Sequence, residues 1–131
     1  MFLGTFTLKL LGSAQVVLPA KLRGQLPDRR AVLAKGFDKC VYGFTIDTWQ
    51  KLAEQELLKP LLTTEGRRMR QQVFSQAEEV DCDKQGRFVV PTYLRDYAGI
   101  REEIVIIGAG DHFEIWDKDE WDNLSHSGTF K

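Results

Sequence analysis

Residues that do covalent chemistry are scarce in this 131-residue sequence, which holds two histidines and two cysteines. His112 stands beside Asp111 in a turn-like stretch, and His126 lies close to the end. Neither has a nucleophile placed for it, and there is no Gly-x-Ser-x-Gly, no phosphate-cradling glycine loop and no His-Glu-x-x-His. That argues against an enzyme. Cys40 and Cys82 lack metal or redox spacing, and with His112 they offer no close ligand pair. They read as buried thiols in a reducing compartment, with a disulfide between them left open. Long apolar runs are missing as well. No stretch approaches the roughly 20 apolar residues needed to cross a bilayer. The apolar start has no basic lead-in and is interrupted at Lys9, so it reads as a strand and not a targeting segment. The expectation is a soluble, cytoplasmic protein with no cofactor, no metal, no membrane partner and no small-molecule substrate.

A strong excess of one charge is also lacking, since the net charge is −1. The distribution is uneven, however. Residues 1–101 carry 16 basic and 11 acidic side chains, while residues 102–131 carry 2 and 8. Contact with phosphate depends on local charge, so the total does not exclude nucleic acid. A hydrophobic content of 43% and a charged content of 28% are those of an ordinary globular chain, long enough for one domain or for two halves sharing a core. Only the segment after Ser125 reads as disordered.

What is present is concentrated in Asp83-Lys84-Gln85-Gly86-Arg87-Phe88-Val89-Val90-Pro91-Thr92-Tyr93-Leu94-Arg95. Asp83 and Gly86 occupy the first and fourth positions of a type I turn. Phe88-Val89-Val90 has strand character, and Pro91 suits the first position of a helix that Gly99 stops. Lys84 and Arg87 are left on the exposed turn and the strand it opens.

The sequence repeats itself at an offset of 72. Phe2/Phe74, Val17/Val89, Pro19/Pro91, Leu22/Leu94, Arg23/Arg95, Arg29/Arg101, Gly36/Gly108, Asp47/Asp119, Trp49/Trp121 and Leu52/Leu124 all match, without a gap from Pro19 to Leu52. Two copies are too few for a solenoid, so two small modules about a pseudo-twofold axis are expected.

These features together resemble the MraZ family: Asp83-x-x-Gly86-Arg87-x-x-x-Pro91, the tandem copy, Phe2-Leu3-Gly4, Pro19-Ala20-Lys21-Leu22-Arg23, Leu94-Arg95-x-x-Ala98-Gly99 and Glu114-Ile115-Trp116-Asp117. The resemblance runs from Met1 to about Asn123. It implies a mixed, β-rich α/β chain of two SpoVT/AbrB-type swapped-hairpin modules forming an intramolecular pseudo-dimer. It also implies a ring-shaped homo-oligomer, nucleoid association, and binding to short double-stranded DNA repeats ahead of a bacterial division and cell-wall gene cluster. The expected division is 5–47 for the first module, 48–75 for connecting helices and 76–119 for the second module. One departure stands out: the family's first copy usually also carries Asp-x-x-Gly-Arg, whereas here the positions read Leu11-Gly12-Ser13-Ala14-Gln15.

Taken in order, Phe2–Lys9 reads as a strand, Val16–Leu18 as a second, and Pro19 as the start of a short helix ending by Gly24 or Pro27. Strands follow at 30–35 and 40–44, joined at Gly36-Phe37-Asp38-Lys39. Thr45 caps a helix whose Trp49, Leu52, Ala53 and Leu57 form a stripe expected to face the core. A further helix carries Met69, Val73 and Ala77 on one face and Arg67, Arg68 and Arg70 elsewhere, a cluster better read as solvated surface than as a nucleic-acid site. The second copy repeats the pattern, with Asp117 and Glu120 in a capping arrangement and Trp121 and Leu124 closing the core.

By resemblance, Arg87 contacts a base edge or its phosphate and Lys84 supplies a positioning charge, with Asp83, Gln85 and Gly86 shaping the turn. A two-stranded ribbon fits the major groove, and Arg can bond guanine bidentately. In the first copy Gln15 stands where Arg87 does, and Lys9 and Lys21 remain as phosphate partners. Gln can still bond adenine, so this copy is expected to contact DNA more weakly. The alternatives are an oligomeric scaffold of the same fold with weakened DNA binding, and an antitoxin-like module. The tandem copy argues against the latter, for which a single module with a partner-binding tail would be expected.

Overall fold

The structure is a computed structural model and describes residues 1–12 and 14–126. The first half builds β1 (Thr5–Lys9), β2 (Gln15–Val17), α1 (Ala20–Arg23), a 3-10 turn (Pro27–Arg29), β3 (Arg30–Lys35), β4 (Val41–Phe44) and α2 (Ile46–Glu56). After α3 (Thr64–Gln72) and a 3-10 turn (Phe74–Gln76), the second half builds β5 (Glu78–Asp81), β6 (Arg87–Val89), α4 (Thr92–Ala98), β7 (Glu103–Gly108), β8 (Phe113–Asp117) and α5 (Lys118–His126). Helix α5 thus runs one residue past Ser125, and the expected tail beyond it lies outside the described residues. Thr45 caps α2 as expected, its Oγ1 accepting from the Thr48 N–H at 3.0 Å, and Gly99 closes α4 in the left-handed conformation at φ 64°.

Six strands form one antiparallel sheet in the order β1-β7-β8-β4-β3-β5. The outermost strands are exchanged: β1 from the first copy pairs with β7 of the second, and β5 from the second pairs with β3 of the first. The remaining strands, β2 and β6, form a separate two-stranded ribbon. A lone ribbon of this kind is marginal in water, and this one is held by burying Val16 and Phe88 in the core. The chain is therefore a swapped-hairpin pseudo-dimer with one shared interior. Its axis can be located from the pairing. Val16 faces Phe88 and Tyr42 faces Glu114, each residue opposite its own counterpart 72 positions on.

The repeat is not gapless in space. Val32 pairs with Phe44 in the first copy, while in the second Val105, not Ile104, pairs with Trp116. Strand β3 hence corresponds to β7 at an offset of 73. The β3–β4 loop holds residues 36–40 and the β7–β8 loop only residues 109–112, which restores 72 for β4 and β8. The cause is the period of two in a strand, because a one-residue slip turns every side chain over. Ala31 and Leu33 point into the main core, and Ile104 and Ile106, not their 72-offset matches, do so in the second half. The Gly36/Gly108 identity is accordingly a coincidence.

The ribbon, α1 and α4 cover one face of the sheet through Val16, Leu18, Leu22, Phe88, Val90 and Leu94. On the other face α2 and α5 lean on aromatic rings, Phe44 against Trp49 at 5.5 Å and Trp116 against Trp121 at 5.5 Å. This corrects the expected core stripe. No residue of α2 is buried, Trp49 and Trp121 are half-buried, and Leu52 and Leu57 are 38% and 46% exposed. Only Trp49, which meets the Phe44 and Phe74 rings, and Ala53 of the stripe are partly covered. Asp117 also departs from its expected capping role: its buried carboxylate accepts from the Arg101 backbone N–H at 3.1 Å and from Arg101 Nη2 at 3.2 Å.

Candidate nucleic-acid interface

The 83–87 turn is closed by its own backbone, with the Gly86 N–H donating to Asp83 O at 3.0 Å and the Asp83 N–H to Arg87 O at 3.0 Å. Asp83 then organises it from within. Its Oδ1 accepts from the backbone N–H groups of Gln85 and Arg87, both at 2.9 Å, and its Oδ2 accepts from Arg87 Nε at 2.6 Å. The Arg87 N–H bond, aided by the Arg87 side chain and the Gln85 N–H against slight burial, holds the Asp83 carboxyl below its ordinary value. Arg87 Nη2 reaches Gln85 Oε1 at 3.3 Å. Only part of the guanidinium is engaged, and its side chain stays 45% exposed.

Arg23, on α1 of the other copy, fastens this turn to the body. Its Nη1 donates to Leu18 O at 3.2 Å and also to Gln85 O. Gly86 makes room for it: a Cβ there would lie 2.7 Å from Arg23 Nη1 and 2.7 Å from Leu18 O, at φ +85°. Sequence reasoning missed Arg23 as a site residue, although the Arg23/Arg95 match was a signal.

The first turn is built on the same plan but shows fewer contacts among the described residues. Leu11 and Gln15 exchange backbone hydrogen bonds at 2.8 and 2.9 Å, as Asp83 and Arg87 do in part. Ala14 stands at the place of Gly86 and is buried, with φ 70°. Among the described residues Arg95, the counterpart of Arg23, makes no side-chain hydrogen bond or ion pair. Ser13, matched to Gln85, lies outside the described residues.

The ribbon's outward face carries Gln15 and Val17 on β2 and Arg87 and Val89 on β6, with Gln15 opposite Val89 and Val17 opposite Arg87. Gln15 and Arg87 are thus diagonal neighbours on one face, on the order of 7 Å apart by ordinary sheet spacing. Lys84 is exposed at the turn, Lys21 is exposed on α1, and Lys9 ends edge strand β1 opposite Glu103. None of these three lysines is in an ion pair among the described residues. By contrast, Arg70 is spent on Lys59 O and Gly66 O at 3.1 and 2.9 Å and Arg67 on Leu62 O at 3.2 Å, so much of the α3 arginine cluster holds the α2–α3 connection together.

Elsewhere, Cys40 and Cys82 are free and buried. Burial raises both thiols, that of Cys82 to about 11, which keeps them protonated and unreactive at neutral pH. No group of three or more metal-ligating side chains occurs among the described residues. No helix among the described residues is long and apolar enough to cross a membrane.

Against known families, the model of the MraZ protein, described as a candidate antitoxin-like protein, matches residues 1–71 and again residues 73–128.

Proposed function

The chain belongs to the MraZ family, and from that premise we propose that it is a sequence-specific DNA-binding transcriptional regulator, acting as a repressor of a division and cell-wall gene cluster. The carrying observation is the 83–87 turn at one end of an exposed two-stranded ribbon, which presents a half-exposed Arg87 in a conformation fixed by Asp83. Arg87 reads a base edge in the major groove, Lys84 pairs with phosphate, and Asp83, Gln85 and Gly86 hold the shape. Gln15, Lys9 and Lys21 form the weaker first arm. Catalysis, cofactor and small-molecule substrate have no part in this reading. The place of action is the cytoplasm, on the nucleoid.

One arm per chain binds weakly, so the working form is a ring-shaped homo-oligomer that sets several arms against repeated sites and gains effective concentration. Support for assembly comes from the α2–α3 connection, where Leu57, Leu58, Leu61 and Leu62 are 46%, 82%, 57% and 89% exposed. Leucines clustered so openly mark a protein-binding surface.

The test is retention of the protein by its own upstream DNA against a shuffled control at two salt concentrations. Specific retention that falls with a slope of about −0.9 per phosphate contact supports the proposal. The eroded first turn favours a second reading, an oligomeric scaffold of the same fold. Equal losses from Arg87→Ala and Gln15→Ala, or no gain from Gln15→Arg, would favour that scaffold.

A further inference from the structure

We infer that Arg23 is the positioning residue of the DNA arm: its guanidinium, bridging Leu18 O and Gln85 O from the opposite copy, fixes the angle at which the 83–87 turn leaves the ribbon. The inference rests on the DNA-binding reading for its functional consequence, and on geometry alone for its structural one. Asp83 makes the turn rigid internally, but every bond it forms is to Gln85, Gly86 or Arg87, within the turn itself. Two polar contacts tie the turn to the body: the Leu18 N–H donates to Gly86 O at 2.8 Å, and Arg23 bonds Gln85 O. A single hydrogen bond leaves a hinge, and a second one, two-pronged and a residue away, removes that freedom.

The molecule contains its own control. The Leu18–Gly86 bond has a counterpart in the Val90 N–H to Ala14 O bond, longer at 3.2 Å. The Arg23 clamp has none among the described residues, where Arg95 makes no side-chain hydrogen bond and Ala14 stands in the place of Gly86. Among the described residues, one turn is held at two points and its twin at one. Only the turn held at two points retains the Asp and Arg of a reading arm. Specific recognition of a base edge by a bidentate Arg requires its donors to be placed in advance, since ordering them on binding subtracts from affinity.

The experiment uses the full chain. Arg23→Ala, Arg23→Lys and Gly86→Ala are compared with wild type by amide hydrogen exchange of Gln85, Gly86 and Arg87, by the ratio of affinities for upstream and shuffled DNA, and by the salt slope. Arg23→Ala is expected to speed exchange at these amides and to lower the specificity ratio about tenfold, the effect of losing one charge-assisted hydrogen bond. The salt slope should not change, because Arg23 does not touch phosphate. Arg23→Lys should fall between, and Gly86→Ala, whose Cβ would meet both the guanidinium and Leu18 O at φ +85°, should speed exchange at least as much as Arg23→Ala. If Arg23→Ala lowers the salt slope by about one contact with exchange unchanged, Arg23 is a phosphate ligand and the inference is overturned. Unchanged exchange and unchanged specificity overturn it too. Should Arg23→Ala not fold, Arg23→Lys and Gly86→Ala carry the same comparison. If Arg87→Ala leaves specificity intact, the DNA reading fails, while the exchange data still decide the clamp.

Discussion

Val16 and Phe88 lie directly opposite each other in the β2–β6 ribbon, both buried, and each is the other's counterpart in the repeat. The pseudo-twofold axis passes between them, so neither half owns an interior of its own. A single cooperative unfolding transition is expected, with calorimetric and van't Hoff enthalpies equal. Phe88→Ala should lower stability by about 3–5 kcal/mol without splitting that transition. Two resolved transitions in scanning calorimetry would show that the halves fold apart.

The Asp83 turn should titrate. The Arg87 N–H bond and the bonds that follow it lower the Asp83 carboxyl from 3.8. A lowered folded value means that the ordering it supplies is present above 3.8 and lost as pH falls through the lower value. The Gln85 and Arg87 amide resonances should therefore move together with a midpoint below 3.8, and Asp83→Asn should abolish the movement. A midpoint at or above 3.8 contradicts the geometry.

His112 gives stability an opposite dependence. Its Nε2 lies 2.8 Å from Glu114 Oε2 and its Nδ1 2.7 Å from Asp111 Oδ1, with Tyr42 and Phe44 rings 4.7 and 5.5 Å away. The Glu114 bond, joined by Asp111 and opposed by burial, raises the imidazole above 6.5. On Glu114, burial pushes up but the bonds from His112 and Trp116 prevail, so the carboxyl lies low and the two partners agree. This contribution is complete below pH 6.5 and disappears as pH rises through the higher folded value. Thermal midpoints measured from about pH 6 to 9 should fall in the wild type by an amount that His112→Gln lacks.

Leu58→Asp with Leu62→Asp should reduce solution mass towards that of one chain while leaving the circular dichroism spectrum intact, because both side chains are exposed in the folded chain. Loss of assembly should weaken binding to repeated DNA about a hundredfold and binding to a single repeat little. Light scattering and DNA titration read the two effects. An unchanged mass would remove the leucine surface from the assembly.

The repeat, the strands and the turn were legible because each rests on local chemistry: Asp83 and Gly86 for the turn, Pro19 and Pro91 before the short helices, Thr45 as a cap. The slip between β3 and β7 was not. Identities at Gly36 and Gly108 masked a residue moved from one loop to another, and only pairing partners such as Val105 and Trp116 reveal it. The α2 stripe misled for another reason, since helical period reports which side is apolar and not whether anything covers it. Arg23 was hidden because its bonds go to the backbone carbonyls of Leu18 and of Gln85, the latter 62 residues away, and carbonyls carry no side-chain signature.

The exchange of outer strands also sets an order in time. Thr5 must find Ile107, so β1 leaves the ribosome roughly a hundred residues before the strand it pairs with, a delay of about 5 to 20 s at ordinary rates of synthesis. Throughout that interval Phe6 and Leu8 have no β7 to lie against. The nascent chain can close the β3–β4 hairpin early, but its first strand waits for β7 before it can dock.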